Sequence, residues 1–283
     1  MTLLEVYRSV LAQLRTAEIS GAETEARVIC SHFSGLSPEK FLQLRNDETD
    51  ATVVDSIAEA AARRVSGEPL AYIIGSAEFY GYSFVTPRGV LIPRPATESL
   101  VELVLAQFPA SGKPVRFLDL CCGTGCIGIT LLLERQNAHC TFADISDTAL
   151  TATRENAARH SVSDRAEVTR GDVFSPAGQP GGFDAILCNP PYIRTADMTA
   201  LDGSVKDFEP GLALDGGIDG LDYYRYIAVN WNDKLLPGGL LAFECGFDQA
   251  GKVAELLRRE GFADVSIKKD LSGIPRIVAG TYQ

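Results

Sequence analysis

The chain has 283 residues, of which 46% are hydrophobic and 22% charged, enough apolar material for two domains or one large one. The formal net charge of −11, from 26 basic and 37 acidic residues, argues against a nucleic-acid backbone as the main partner. No run of about 18 uncharged apolar residues occurs, and the first residues lack the basic and apolar blocks of a signal peptide, so neither a membrane span nor export is expected.

The seven cysteines are an odd number, and their spacing matches neither a zinc site nor a disulfide framework. We therefore expect reduced thiols, no metal and a cytoplasmic location.

Residues 1–70 carry the pattern of a small all-α domain. Apolar residues recur at helical spacing over residues 3–14, and a second helix is predicted over 22–33. Ser37-Pro38-Glu39 is typical of a helix start, with serine as the cap and proline in the first turn. A fourth helix is predicted over about 51–64. No catalytic pattern occurs in this region.

Residues 71–93 change from helical to β character. Tyr72, Ile73 and Ile74 are strand-type residues, and they are followed by Phe79-Tyr80-Gly81-Tyr82. Glycines punctuate this stretch, which predicts a β-hairpin that links the helical domain to a third region, 94–283.

Residues 94–283 alternate between helices and strands, which predicts a doubly wound, mostly parallel sheet. Seven strands are predicted, over residues 115–120, 140–143, 166–169, 183–188, 240–244, 265–268 and 276–279. The helices between and around them are predicted over about 97–108, 126–134, 147–160 (capped by Ser146), 221–235 and 249–260.

Carboxylates follow three successive strands, which is where open α/β sheets bind ligands. Asp119 ends the first strand and precedes a glycine loop that opens a helix, Asp144 ends the second strand, and Asp172 follows the third. The loop formally satisfies a dinucleotide fingerprint, so an NAD-dependent oxidoreductase is one alternative. The acids would repel a pyrophosphate, however, and suit the cationic, phosphate-free S-adenosylmethionine. The candidate cofactor-binding residues are Asp119, Cys121, Cys122, Gly123, Thr124, Gly125, Asp144, Asp172, Val173 and Asn189.

Asn189-Pro190-Pro191-Tyr192 ends the apolar strand predicted over 183–188. Proline cannot continue a ladder and holds the preceding residue extended, so a simple strand-terminating turn is the alternative interpretation. With a cofactor site upstream, the motif instead places an amide, two rigid carbonyls and an aromatic ring beside the ligand.

This arrangement resembles the class I S-adenosylmethionine-dependent methyltransferases, and Asn189-Pro190-Pro191-Tyr192 is similar to the motif of those that methylate planar nitrogens. Longer matches resemble the release-factor glutamine methyltransferases (the HemK/PrmC family) over almost the whole chain. These matches are Gly67-Glu68-Pro69-Leu70-Ala71-Tyr72-Ile73, Glu78-Phe79-Tyr80-Gly81, Leu91-Ile92-Pro93-Arg94-Pro95, Glu209-Pro210, Ala213-Leu214-Asp215-Gly216-Gly217 and Asp219-Gly220-Leu221.

The resemblance implies a Rossmann-like fold, with a helical substrate-recognition domain over 1–70 and a methyltransferase domain over 94–283. The implied substrate is the glutamine of a Gly-Gly-Gln motif in peptide chain release factors. Asn189, Pro190 and Tyr192 are the candidate catalytic residues, and Pro191, Leu91 and Arg94 complete the candidate substrate-binding set. S-adenosylhomocysteine would be the product, and we expect a monomer that binds neither nucleic acid nor membrane.

The chain departs from the family pattern at Ala96, where an acid is usual, and at Cys121-Cys122 in the glycine loop. Ile274-Pro275 also replace more polar residues. A DNA or RNA adenine methyltransferase shares the motif at residues 189–192 and stays an alternative, although it would be expected to carry a basic groove.

Overall fold

The computed structural model describes residues 1–110 and 112–283, which form two compact units. The first unit contains Met1–Gly75 and Gly203–Phe208, and the second contains Ser76–Asp202 and Glu209–Gln283. In the described part of the chain, no helix combines the length and the apolar character that a membrane span requires.

The first unit is built from α-helices around a small apolar core. Their bounds are α1 Leu3–Thr16, α2 Ala22–Ser34, α3 Pro38–Leu44, α4 Ala51–Val65, α5 Leu70–Ile74 and α9 Gly203–Lys206. The Thr2 hydroxyl accepts a hydrogen bond from the Glu5 amide in a capping box at the start of α1. The Ser37 hydroxyl caps α3 by accepting from the Lys40 amide. The four helices predicted before residue 70 are thus confirmed.

Residues 72–74 correct one expectation, because they lie in helix α5 and not in a strand. Tyr72 and Ile73 are buried, and Ile73 packs in the same apolar cluster as residues of α1, α2, α3 and α4. Packing in a helical core outweighs the preference of β-branched and aromatic residues for strands. Gly75, with φ of +76°, ends the helix before the hairpin begins.

The predicted hairpin is confirmed, with strands β1 Ser76–Phe79 and β2 Tyr82–Val85. Its two turn residues, Tyr80 and Gly81, both have positive φ, as tight hairpin turns require. The buried Asn156 side chain accepts a hydrogen bond from the Val85 amide at 2.7 Å and donates to the Thr124 carbonyl at 2.9 Å. The hairpin is therefore attached to the glycine loop of the second unit.

A seven-stranded sheet forms the centre of the second unit, in the order β5-β4-β3-β6-β7-β9-β8. Its strands are β3 Val115–Leu120, β4 Ala138–Asp144, β5 Ala166–Arg170, β6 Phe183–Cys188, β7 Leu235–Glu244, β8 Ala263–Lys269 and β9 Pro275–Thr281. All neighbours are parallel except β9, which runs antiparallel to β7 and to β8. The predicted mostly parallel, doubly wound fold is confirmed.

Helices cover both faces of this sheet, and their bounds are α6 Glu98–Gln107, α7 Cys126–Glu134, α8 Asp147–Arg159, α10 Asp222–Asn230 and α11 Ala250–Arg259. Phe117 of β3 packs in one apolar cluster with α6 and α7, while its neighbour Leu118 packs in the other with α10 and α11. This alternation is that of a strand buried on both faces.

The chain between α10 and β7 differs from expectation. A helix was predicted up to residue 235, but α10 ends at Asn230, and the buried Trp231 donates its indole N–H to the Val173 carbonyl at 2.8 Å. The strand then starts at Leu235 and not at Leu240. Leu235 pairs with Phe183 while Leu240 pairs with Ala185, so the residues between them form an irregularity in the ladder.

Candidate active site

A cavity of about 330 Å³ lies at the carboxyl ends of β3, β4, β5 and β6. The strand order reverses at β3, with β4 and β5 on one side of it and β6 on the other. Ligands of open α/β sheets bind at such switch points. Residues 89–94 and the segment around Leu212 complete the wall.

The glycine loop after β3 shapes the floor of this cavity. Cys121, Gly123 and Gly125 all have positive φ, between +56° and +76°, so the loop turns tightly into α7. At Gly125 an added Cβ would lie 2.8 Å from the Thr153 side chain, which requires glycine there. Burial raises the pKa of Cys122 well above its ordinary value, so this thiol stays protonated.

Asp144, at the end of β4, projects from the strand into the cavity. One of its oxygens accepts from the Gly123 amide at 3.0 Å and the other from the Ser146 amide at 2.9 Å. Burial raises the pKa of Asp144, and these hydrogen bonds oppose the rise. The carboxylate is thus fixed at the position where such sheets bind ribose hydroxyls.

Most of the predicted cofactor residues meet at the cavity wall, namely Cys121, Cys122, Gly123, Thr124, Asp144, Asp172, Val173 and Asn189. Gly125 and Asp119 do not line it. Asp119 is fully buried, and its Oδ2 accepts from the Gly128 amide at 2.9 Å. Its Oδ1 has no hydrogen-bond partner among the described residues, and burial raises the pKa of Asp119 to about 8. The structure therefore places Asp119 behind the loop.

An apolar slot lies beside Asp172 and Val173 and contains residues that the sequence did not indicate. Phe174 and Tyr223 line it with ring centroids 4.9 Å apart, and Ile145 contributes an exposed side chain. A planar heterocycle can stack on such apolar and aromatic side chains. Ile145 and Phe174 follow predicted acids and could have been found by position, whereas Tyr223 comes from α10, which is distant in sequence.

The charge of the cavity fits a cationic ligand without phosphates. Among the described residues that line it, Asp144 and Asp172 are the acids, and Arg94 is the one cation. The Arg94 guanidinium is ion-paired with Glu209. A pyrophosphate would meet two carboxylates and no free cation, whereas the sulfonium and ammonium of S-adenosylmethionine would be attracted.

Residues 89–94 are held in place by Glu209, which is 5% exposed. Its carboxylate accepts from the Ile92 amide at 3.2 Å and from the Arg94 guanidinium. Leu91 and Arg94, both predicted as substrate-binding, line the cavity. Glu209 belonged to a family motif in the sequence, but no role was assigned to it.

Asn189 and Pro191 line the cavity next to the glycine loop. The Asn189 Nδ2 donates to the Thr97 hydroxyl at 3.3 Å. Pro190 is buried and Tyr192 half-buried, and neither side chain lines the cavity. The motif is therefore a rigid turn that directs Asn189 and Pro191, but not the Tyr192 ring, toward the cavity.

Two domain families match the chain. The PrmC N-terminal domain matches residues 5–75, and the methyltransferase small domain matches residues 94–204. A release factor glutamine methyltransferase from Neisseria gonorrhoeae is 39% identical over 91% of this chain and 93% of its own length. Another, from Cereibacter sphaeroides, is 39% identical over 99% of this chain and 98% of its own length. The chain belongs to the release factor glutamine methyltransferase family.

The fold agrees with this family membership. A methyltransferase from Pyrococcus furiosus superimposes with a TM-score of 0.52 at 14% identity, covering 80% of this chain and 98% of that one.

Ala96, where the family pattern has an acid, lies in the 3-10 turn Pro95–Thr97 and does not line the cavity, whereas its neighbour Thr97 does. The Ala96 side chain therefore forms no part of the cavity wall.

Proposed function

We propose that this chain transfers a methyl group from S-adenosylmethionine to the side-chain amide nitrogen of the glutamine in a release-factor Gly-Gly-Gln motif. The observation that carries the proposal is the placement of Asn189 at the cavity wall with its Nδ2 bonded to Thr97. Its Oδ1 is then the atom left to accept an N–H from an incoming amide.

Methyl transfer to an amide requires that the amide nitrogen is oriented toward the methyl group and that the positive charge developing on this nitrogen is stabilised. An amide nitrogen is a poor nucleophile because its lone pair is delocalised into the carbonyl. Asn189 Oδ1 and the Pro190 carbonyl would each accept one N–H, which aims the nitrogen and stabilises the positive charge that develops on it. The flanking prolines make both acceptors rigid, so little reorganisation is needed.

Bound S-adenosylmethionine supplies an electrophilic methyl group on its sulfonium. The amide nitrogen held by Asn189 and Pro190 would form its bond to this methyl carbon as the carbon–sulfur bond breaks, S-adenosylhomocysteine would leave, and the extra amide proton would pass to water. A base before attack is not needed, because the proton becomes acidic only once the nitrogen carries the methyl group. Asp144 would hold the ribose, and Asp172 with Val173 the adenine.

Other roles stay predictions. One of them is a contact between the substrate amide and the Tyr192 ring, which does not itself line the cavity, in a geometry favourable for a nearby cation. Leu91 and Arg94 would border the bound peptide. We also propose that the helical domain predicted over 1–70 recognises the release factor, that the enzyme is a monomer, and that it works in the cytoplasm, where its substrate acts.

The experiment is transfer of a labelled methyl group from S-adenosylmethionine to a purified bacterial release factor. Label should enter the native factor and not one whose Gly-Gly-Gln glutamine is replaced, and Asn189→Ala should lose nearly all transfer. Near-full activity of Asn189→Ala would refute the proposed role. Calorimetry separates the cofactor alternatives, since binding of NADH without binding of S-adenosylmethionine would indicate an oxidoreductase.

A further inference from the structure

Glu244, the last residue of β7, is a buried carboxylate that the mechanism above does not use. Its side chain is 1% exposed, and its Oε2 has no hydrogen-bond partner among the described residues. Such a group destabilises a folded protein unless it is well paired. A role at the neighbouring site would account for its presence.

Glu244 lies beside the candidate catalytic asparagine, because the residues that precede them, Phe243 and Cys188, pair across β7 and β6. Thr97 and Asn189 lie within hydrogen-bonding reach of the Glu244 carboxylate and lower its pKa, and the Asn189 Nδ2 donates to the Thr97 Oγ1 at 3.3 Å. Thr97 is 2% exposed, whereas Asn189 is half-buried at the cavity wall. The three side chains form one polar group, in which Thr97 and Asn189 line the cavity and Glu244 lies behind its wall.

The chemistry of these groups sets the direction of their hydrogen bonds. An ionised carboxylate only accepts, so the Thr97 hydroxyl proton and an Asn189 N–H both point to Glu244. With its proton directed there, Thr97 offers Asn189 only lone pairs. Asn189 must therefore present its NH₂ to Thr97 and Glu244, and its Oδ1 faces away from them.

We propose that Glu244, acting with Thr97, is a positioning residue that keeps the Asn189 amide oxygen toward the substrate. The inference rests on the proposed function, because this oxygen has a task only if the methyl acceptor carries an N–H. Without the ionised carboxylate, the Thr97 proton is free to bond to the amide oxygen. Asn189 can then turn its NH₂ toward the substrate N–H. Both groups are hydrogen-bond donors, so no hydrogen bond forms between them.

Protonation of Glu244 would remove the constraint in the native protein. Burial raises the pKa of Glu244 to about 7, against lowering by its hydrogen bonds and by Arg276 and Arg94. The thiols and phenols that face Glu244 have pKa values raised by burial and stay neutral near pH 7, so Glu244 is the acid of this set that changes charge there. The titratable or charged side chains that face it are Arg94, Cys126, Tyr192, Tyr224, Cys245 and Arg276.

The first test compares kcat, KM and cofactor affinity across variants. Thr97→Val should lower kcat for the release factor roughly tenfold or more, with the Kd for S-adenosylmethionine within about twofold of native, while Thr97→Ser should retain most activity. Glu244→Gln should lower kcat and, combined with Thr97→Val, add little, because both act through Asn189. Glu255→Gln, on the exposed face of α11, is the matched carboxylate control.

The second test follows pH. In the native enzyme kcat/KM should rise from about pH 6 to about pH 8 with ionisation of Glu244, and Glu244→Gln should flatten this limb. In the cofactor-free protein, the side-chain ¹⁵NH₂ resonance of Asn189, assigned by its loss in Asn189→Ala, should titrate with the same midpoint and should not titrate in Glu244→Gln.

The outcomes separate this inference from the proposed function. If the native enzyme does not methylate a release factor, the proposed function fails, while the amide titration still tests the hydrogen-bond geometry. If the native enzyme is active but Thr97→Val keeps its kcat, or the acid limb persists in Glu244→Gln, the positioning role is wrong. Additive losses in the double variant would also overturn it.

Discussion

The side-chain amide of Gln249 donates a 2.9 Å hydrogen bond to the carbonyl oxygen of Tyr192. The same nitrogen lies 3.2 Å from the Gly220 carbonyl, and the Gln249 oxygen accepts from the Gly246 amide at 2.9 Å. Gln249 is 2% exposed. The Gln249 side chain thus connects the end of the Asn189-Pro190-Pro191-Tyr192 turn to Gly220 and to Gly246, which follows β7.

Replacement of Gln249 by glutamate should disturb this turn. A carboxylate cannot donate to the Tyr192 and Gly220 carbonyls and would repel them, so Gln249→Glu should destabilise the chain by about 1–3 kcal/mol and lower kcat/KM. Urea unfolding and methyl-transfer kinetics measure the two effects. The exposed Gln136→Glu is the control. Equal behaviour of the two variants would contradict the assigned role.

Gly216 packs against the other side of the same turn. A Cβ at this position would lie 2.7 Å from the Pro191 carbonyl oxygen and 2.7 Å from the Tyr192 Cα, both backbone atoms that cannot move aside easily. Gly216→Ala should therefore cost about 1–3 kcal/mol of stability and displace the turn, with a fall in kcat. Gly211→Ala is the control, because its Cβ would meet nothing within 4 Å. A tolerated Gly216→Ala would show that the turn is not clamped.

Asp144 should act on cofactor affinity and less on the chemical step. Asp144→Asn removes the charge and one acceptor from the proposed ribose contact, so the Kd for S-adenosylmethionine should rise by roughly 10–100-fold, while kcat at saturation changes less. Calorimetry gives the Kd. Asp55→Asn, exposed on α4, should match the native protein. An unchanged Kd in Asp144→Asn would exclude the ribose contact.

Buried carboxyls should make the chain less stable as the pH rises. The pKa of Asp119 is raised from 3.8 to about 8, so between these values the folded chain holds a proton that the unfolded chain has lost. Because the folded state binds more protons there, the free energy of unfolding falls with pH. Glu244, raised from 4.5 to about 7, acts with the same sign.

Urea unfolding between about pH 5 and about pH 8 measures this slope, and Asp119→Asn should reduce it. Exposed acids with lowered pKa, such as Asp50 and Asp219, are ionised in both states over this range and do not contribute. A free energy of unfolding that rises with pH would contradict the burial of Asp119 as a neutral acid.

The sequence predicted best what depends on local pattern. The β6 strand Phe183–Cys188 was predicted with its observed bounds, because an apolar run over 185–188 is followed closely by a proline pair. Residues 72–74 were predicted as strand but form a helix, because they pack in a helical core. The start of β7 at Leu235 was missed, because the pairing of β6 with β7 is irregular. Local residue preferences show neither the packing nor the irregular pairing.

In the site, Gly123, Asp144 and Asn189 could be predicted because each lies at or just after the end of a parallel strand, and all three line the one cavity. Tyr223 and Glu244 were not indicated, because a tyrosine in a helix and an acid at a strand end have a role only once neighbours distant in sequence are known. Asp119 was expected to face the ligand, but its side chain does not line the cavity and accepts a hydrogen bond from the Gly128 amide in the first turn of α7.

Peptide mass spectrometry of a bacterial release factor, after incubation with the enzyme and S-adenosylmethionine, measures the proposed methyl transfer itself. We expect the Gly-Gly-Gln peptide to gain the mass of one methylene, fragmentation to place it on the glutamine side chain, and Asn189→Ala to leave the peptide unmodified. An unmodified peptide with native enzyme, or a methyl group on another residue, would show that the chain does not methylate this glutamine.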